Sequence, residues 1–483
     1  MKLRKLLKSM DVLELTGPDN VKVKGMAYDS RQVKEGWLFV AVSGHQIDGS
    51  EFITQAVSNG AVAVVSESSL NMGSGVAHIQ VSCARKAMAE IAHVLHGKSS
   101  KRLSVVGVTG TNGKTTTTYM IRDLLRDAGR RPGLLGTVAY EVGERVIPAS
   151  RTTPEAPEIH SMFEQMSEAG CDSVVMEVSS HALELQRVHT IDYDVAVFTN
   201  LTQDHLDYHK DMETYFDVKA RLFEQLKKTD RSAVINIDDP WGRKLIGDKE
   251  TKAEIITYGF NEQAIVRAYA ATIDAAGTHF KIDTPWGSAD VNLQLLGRFN
   301  VHNALAALAV GGSLGLDLKA MVKTLGKIAT VPGRLELVKN RKHRKIFVDY
   351  AHTDDALKNV LTTLREICKG RLLVTFGCGG NRDQGKRIKM GRVAAELADY
   401  SIVTSDNPRK EEPAAIVSDI VKGYENQDQF EVVLDRREAI EKAVAMMGRK
   451  DVLLIAGKGH ETYQEFDGIV IPFDDREIVK ELF

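Results

Sequence analysis

Apolar residues come along this chain in short bursts, and the spacing of the bursts predicts its elements. WLFVAVSG at 37–44 and AVAVVSES at 61–68 alternate with helical stretches that end near KAMAEIAHVLHG. From 103 to about 331 the runs SVVGVTG, SVVMEVSS, DVAVFTNL and SAVINIDD recur between helical segments. Such strands predict a parallel sheet covered on both faces. An alanine-rich helix, HNALAALAVGGSLG, closes that region. The polar stretch GKSSKR at 97–102 reads as a linker, and TVPGRLE at 330–336, with its Pro and Gly, as a second boundary. The expected segments are therefore 1–100, 101–331 and 332–483.

Beyond the second boundary come RKIFVDYAH, RLLVTFGCGGNRD, YSIVTSDNPR and DVLLIAGKGHE. Each is a β-rich run whose last residues turn polar, glycine-rich or charged. In open α/β sheets ligands bind outside the carboxyl ends of the strands, so the four tails are predicted to meet at one crevice. Turn chemistry alone also favours Gly, Asn, Asp and Pro there. Asp, His, Arg and Glu in succession favour the crevice.

Residues 107–117, GVTGTNGKTTT, follow an apolar run and precede the helix-like YMIRDLL. The strict P-loop spacing fails, because Val108 stands where its first glycine belongs. The physical requirements survive: glycines let backbone N–H groups approach an anion, and a helix N-terminus adds positive potential. Lys114 then faces the β- and γ-phosphates, and the Thr115 hydroxyl is a Mg²⁺ ligand.

At 483 residues, 43% of them hydrophobic, the chain has core enough for about three domains. With 63 basic against 65 acidic residues it carries no broad charge for nucleic acid or an anionic membrane surface, so small-molecule partners are expected. The start MKLRKLLKSMDVLEL lacks a signal-peptide core, and no apolar run reaches the length of a membrane span. A soluble, cytoplasmic monomer is expected. Cys83, Cys171, Cys368 and Cys378 are too sparse for a disulfide framework or a zinc site.

Glu177 ends the strand SVVM, where a carboxylate can face the nucleotide crevice and help hold Mg²⁺. His205 and His209 of TNLTQDHLDYH stand four apart, one helical face, without the HExxH pattern of a zinc protease. For His209 a structural role is expected. So far the residues indicate an enzyme that uses ATP or GTP, without indicating which.

GVTGTNGKTTT, MEVSSHALELQRV, TNLTQDHLDYHKDMETYFDVKARLF, GRFNVHNALAALA, PGRLE, DYAHTDDALKN, FGCGGNRDQGKR, SDNPRKEEP and AGKGHETYQ occur in that order. Over nearly the whole chain this set resembles the Mur ligase family, and within it the branch that adds the third residue of the peptidoglycan stem peptide. The resemblance implies an α/β fold of three domains: an N-terminal UDP-substrate domain, a central P-loop parallel-sheet ATPase domain, and a C-terminal Rossmann-like domain for the incoming amino acid. It implies ATP- and Mg²⁺-dependent amide formation on UDP-N-acetylmuramoyl-L-alanyl-D-glutamate. A carboxylate is a poor electrophile, so the γ-phosphoryl group is moved onto it and an amine attacks the acyl phosphate.

By the same resemblance Thr115, Glu177, His205 and Lys219 surround the metals, and Lys219 is the lysine that captures CO₂ as a carbamate. Gly110, Thr111, Asn112, Gly113, Lys114, Thr115 and Thr116, with Asn303, Arg334 and Asp349, surround ATP, and Lys114, Glu177, His205 and Lys219 are the catalytic set. Ser30, His45 and Gln46 match the uridine contacts. Thr152, Thr153, Ser179 and Arg187 match those to the muramoyl dipeptide. Asp406, Asn407, Pro408 and Arg409, with Arg382, Gly457 and Glu461, match the pocket for meso-diaminopimelate. The distal head of that amino acid is a zwitterion, for which arginine offers a bidentate fork; a lysine pocket would gain nothing from Arg409.

Three residues depart from the family pattern: Asp354 and Ile388 stand for prolines, and Asn381 for an aspartate. None is a proposed ligand. Rival readings are the same reaction with L-lysine or another diamino acid, a folylpolyglutamate-type ligase, and a non-catalytic protein that uses nucleotide closure as a switch. HQIDG, DNPR and GKGHE count against the folylpolyglutamate type, and Glu177 with Lys219 against the switch.

Overall fold

The computed structural model describes residues 1–483 except 45, 46, 71, 74, 249, 250 and 275. Its strands assemble three sheets and one separate hairpin. In the first sheet Gly25–Ala27, Trp37–Val40, Ala61–Ser66 and Ala77–Val81 run parallel, and Val12–Thr16 closes one edge antiparallel. The central sheet has 11 strands. Ser104–Thr109 lies in its middle, with Val195–Phe198 on one side and Ser173–Glu177 on the other, all parallel. In the third sheet Lys345–Asp349, Val452–Ala456, Leu372–Phe376, Tyr400–Val403 and Phe430–Val432 are successive parallel neighbours.

Successive strand residues face opposite sides of a sheet, and the central strands obey that period. Val106, Val108 and Val175 enter one apolar cluster, while Val105, Val174 and Met176 enter the other. The first cluster is covered by the helices Lys114–Asp127 and Arg298–Ser313. Arg298–Ser313 is apolar nearly all round and packs against Lys114–Asp127, the place for a helix with no polar face. The parallel arrangement expected for 103–331 is present, but antiparallel hairpins extend it at both ends. Ala139–Val142 and Arg145–Pro148 form one, and Val266–Asp274 with Gly277–Thr284 and Gly287–Leu293 the other.

The stretch 97–102 is not a loose linker. Ser99–Arg102 forms a 3₁₀ turn with Ser99 and Ser100 buried, while Lys101 and Arg102 stay exposed. Small hydroxyl residues can be buried against main-chain acceptors, as Ser99 Oγ is near the His160 carbonyl (3.4 Å), so polar composition did not reveal packing here. Across the same boundary Tyr28 donates to Glu158 (2.8 Å) and His96 Nδ1 meets Glu164 (2.7 Å).

At the second boundary the chain crosses through Gly333, whose φ of +68° favours glycine. A Cβ there would overlap the main chain of Gly459 and His460, so this crossing is packed directly against the GKGH loop. The Asp349 carboxylate fastens the far side, accepting from the amides of Leu335 (2.5 Å) and Ala351 (2.7 Å). Among the described residues no helix is long and apolar enough to cross a membrane.

Candidate active site

The loop 110–113 leaves the strand Ser104–Thr109 and delivers Lys114 as the first residue of its helix. Gly113 has φ +86°, and a Cβ on it would lie 2.5 Å from Asn303 Oδ1, so the loop rests against the helix Arg298–Ser313. Asn303 itself accepts from Thr117 Oγ1 (3.2 Å). Lys114 Nζ donates to the carbonyls of Gly110 (3.0 Å) and Thr111 (2.8 Å). Thr111 Oγ1 accepts from the Thr202 amide (3.0 Å), and the Asn112 amide donates to Asn200 Oδ1 (2.9 Å). Thr115 and Thr116 are buried in the first helical turn.

Lys219, on the helix Met212–Glu224, is only 1% exposed and donates to the Gly110 carbonyl (2.9 Å). Burial, and then the positive charge of Lys114, holds its ammonium form far below the ordinary lysine range. Glu177 is fully buried at its strand end; Oε1 accepts from the Thr137 amide (2.8 Å) and Oε2 from the Thr137 hydroxyl (2.9 Å). His205 adopts a left-handed φ of +55°, with Nε2 3.4 Å from Asp204 Oδ2. Burial pushes its pKa down to about 3, leaving a neutral imidazole. His209 donates to or accepts from Ser180 (2.8 Å) and stacks on Tyr215, the structural role expected of it.

Beside Glu177 the next group of residues also converges. Thr152 Oγ1 meets Thr137 Oγ1 (3.0 Å). Thr153 Oγ1 donates to the Glu177 carbonyl (2.8 Å) and accepts from the Ser179 amide (3.1 Å). Arg187 reaches the Thr153 carbonyl (2.9 Å) and Glu155 (2.7 Å).

Arg334 joins this centre to the third sheet, donating to Thr115 Oγ1 (2.9 Å) with its guanidinium 4.7 Å from the Tyr350 ring centroid. Near Tyr350, itself just past a strand end, lie other tails of the third sheet. Asn407 Nδ2 donates to Glu461 (2.9 Å), and buried Lys458 donates to both Asn407 Oδ1 (3.0 Å) and Glu461 (3.0 Å). Arg409 donates to the Gly380 carbonyl (2.8 Å) and pairs with Glu465 (3.2 Å). Pro408 is buried. A Cβ on Gly457 would collide with the Asp406 carboxylate, so those two tails touch. The fields of Glu461, Arg409, Glu465 and Asp406 all reach Tyr463. Arg382 is exposed on a cleft of about 780 Å³ shared with Gln203 and Leu206 of the central domain.

The Mur ligase middle domain matches residues 108–311, the Mur ligase glutamate ligase domain 333–459, and the Mur ligase family catalytic domain 22–98. The chain belongs to the Mur ligase family. A relative from Caldanaerobacter subterraneus subsp. tengcongensis, UDP-N-acetylmuramoyl-L-alanyl-D-glutamate–2,6-diaminopimelate ligase, is 43% identical and spans 100% of this chain and 99% of its own. One of the same name from Geobacter metallireducens is 44% identical, spanning 100% and 98%. A solved structure of that ligase superposes with a TM-score of 0.71 at 34% identity, covering 100% of this chain and 98% of the other. As a Mur ligase the protein is an ATP-dependent enzyme that forms amide bonds.

Most of the expected residues of this Mur ligase therefore lie along one path from the phosphate loop through Arg334 and Tyr350 to Arg409. Ser30 does not join it. It is buried in the first domain, bonded to Gln55 (2.7 Å), and His45 and Gln46 lie outside the described residues. Asp349 spends both oxygens on the hinge amides. Four groups escaped sequence reasoning: Thr137, Asp204, Glu155 and Lys458. Lys458 sits inside the quoted AGKGHETYQ, while Thr137 had no signal beyond its place after a strand.

Among the described residues no three His, Cys, Asp or Glu side chains form a cage for a metal. Mg²⁺ does not require one: it keeps several waters and takes one or two carboxylates plus substrate phosphates. The Thr115 hydroxyl and the Glu177 carboxylate are hard oxygen donors beside the phosphate loop, and the neutral His205 adds a nitrogen. That donor set fits the ion.

Proposed function

We propose that this Mur ligase joins meso-diaminopimelate to UDP-N-acetylmuramoyl-L-alanyl-D-glutamate, with ATP converted to ADP and phosphate. The observation that carries the choice of amino acid is that Asn407 meets Glu461 and Asp406 touches Gly457 at the carboxyl ends of the third sheet, with Arg409 and its partner Glu465 beside them. A guanidinium fork and nearby carboxylates are what a distal zwitterion requires, one for its carboxylate and the others for its ammonium. In this reading residues 1–100 hold the uridine nucleotide through Ser30, His45 and Gln46, residues 101–331 hold ATP, and residues 332–483 hold the amino acid.

The dipeptide's terminal carboxylate lies among Thr152, Thr153, Ser179 and Arg187. Lys114 faces the β- and γ-phosphates, Asn303 and Asp349 border the nucleotide, and Arg334 reaches it from the hinge. The γ-phosphoryl group passes to the carboxylate; the amine of the incoming amino acid attacks the acyl phosphate, loses a proton, and expels phosphate. Thr115, Glu177, His205 and Lys219 would hold Mg²⁺, which neutralises charge between ATP and carboxylate when bound. Lys219 contributes as a carbamate. A buried amine whose ammonium form is disfavoured beside Lys114 can add CO₂ and release a proton, ending as an anion where a cation would be repelled. In the same reading the enzyme works as a monomer in the cytoplasm, the compartment of ATP and the nucleotide-linked sugar.

Phosphate release measured with ATP, Mg²⁺ and the UDP-linked dipeptide, and separately with meso-diaminopimelate, lysine and ornithine, tests this. Turnover is expected with diaminopimelate alone. Faster turnover with lysine would refute the pocket reading.

A further inference from the structure

Glu177 ends its strand beside the phosphate loop, yet the groups that hold it belong to a residue outside the usual phosphate-loop chemistry. Both carboxylate oxygens are taken by Thr137, one by its amide (2.8 Å) and one by its hydroxyl (2.9 Å). The same hydroxyl stands 3.0 Å from Thr152. Gly136 completes the seat, since a Cβ there would lie 2.6 Å from Glu177 Oε1. A two-point hold of this kind removes the torsional freedom of a terminal carboxylate, which is otherwise broad.

Thr137 in turn faces the third domain. The His460 ring lies beside the Thr137 main chain, and its ring centroid lies 5.2 Å from that of Tyr350. His460 is pinned from behind, because its amide packs directly on Gly333 at the domain crossing and its carbonyl lies 3.4 Å from Arg476. A packed route therefore runs from the hinge past His460 and Thr137 to Glu177.

We propose that Thr137 is a positioning residue of the ligase reaction, and that His460 docks the third domain onto it so that domain arrival and alignment of Glu177 occur together. The inference rests on the reading of Glu177 as a metal-side carboxylate. Groups that orient a ligand from behind change metal affinity or activity about 10–100-fold when removed.

The test uses the full-length protein with Thr137→Val, Thr137→Ser, His460→Ala, the Thr137→Val/His460→Ala double variant and Glu177→Gln. Three quantities are read: kcat and KM from phosphate release, Mn²⁺ binding by electron paramagnetic resonance with a non-hydrolysable ATP analogue present, and thermal melting. Thr137→Val should lower kcat about 10–100-fold and weaken Mn²⁺ binding about tenfold, with Thr137→Ser restoring both. The double variant should lose less than the product of the single losses, because both act on one route. Thr137→Val within twofold of the parent on both readings, Thr137→Ser as damaged as Thr137→Val, or losses that simply multiply would overturn the inference. If Thr137→Val does not melt cooperatively, His460→Ala decides: unchanged kcat and Mn²⁺ binding would overturn it. Glu177→Gln separates the two failures. Retained Mn²⁺ binding in Glu177→Gln would remove the metal-side reading itself, whereas its loss beside an unaffected Thr137→Val would remove only the role of Thr137.

Discussion

Replacing Lys219 by Met separates stability from catalysis in a single substitution. The amine is 1% exposed, makes one hydrogen bond to the Gly110 carbonyl (2.9 Å) and lies 4.6 Å from the Tyr215 ring centroid. Losing that bond costs about 1 kcal/mol, but the Gly110 carbonyl keeps Lys114 Nζ as a donor at 3.0 Å, so no buried acceptor is orphaned. Against this loss, removing a desolvated amine beside Lys114 relieves burial and like-charge repulsion. Methionine fills nearly the same volume. The two effects oppose each other, and the net change in stability is expected within about 1 kcal/mol, a shift of a few degrees in Tm at most. Turnover should fall by about 10²–10³, the usual consequence of removing one group that stabilises transition-state charge. Melting by circular dichroism and phosphate release on the same samples give both numbers. Lys219→Ala, which leaves space, should in addition regain part of its activity with short carboxylic acids. Full turnover in Lys219→Met, or in Lys219→Ala without added acid, would refute the carbamate.

Arg409→Ala should raise KM for diaminopimelate well above tenfold while leaving ATP binding within about twofold, measured by titration of each; equal losses would make the residue structural. Arg436→Met removes a fully buried guanidinium bonded to Asp475 (2.7 and 2.8 Å) and to the Ala456 carbonyl (3.0 Å), beside Gly457. The orphaned Asp475 should cost about 3–5 kcal/mol in denaturant unfolding. His160, bonded to Thr190 (2.8 Å), has its pKa pushed down to about 3 by burial and by His93, against 6.5 for a free imidazole. Between those values the unfolded chain binds a proton that the folded chain refuses. Stability at this site is thus complete above pH 6.5 and declines as pH falls, by ~1.4 kcal/mol per pH unit, levelling near pH 3. His160→Gln should flatten that slope in pH-dependent melts.

The strands that carry the site were legible because they are buried on both faces and read as continuous apolar runs, as in SVVGVTG and DVLLIAGKGHE. The phosphate loop was legible from glycines followed by Lys-Thr at a helix start, chemistry with few other uses. The hairpins at 139–148 and 266–293 were not anticipated, because exposed edge strands such as Arg145–Pro148 carry no apolar run to mark them. Ser99 and Ser100 misled in the opposite sense, polar in composition yet buried. Thr137 was illegible for a deeper reason: its importance lies in what its amide and hydroxyl touch 40 residues away, and local pattern holds no record of that. The clustering of Arg334, Tyr350 and Glu461 likewise arises from the crossing at Gly333.

The position of Ser104–Thr109 in the middle of its sheet bears on how the polypeptide emerges during synthesis. This earliest strand of the central domain acquires one flank only when 173–177 has been made and the other only when 195–198 has, and the helix bearing Asn303 comes a hundred residues later still. Until then both of its edges are open to wrong pairing. Only the later strands of the same chain can cover those edges, so the order of synthesis sets how long they stay open.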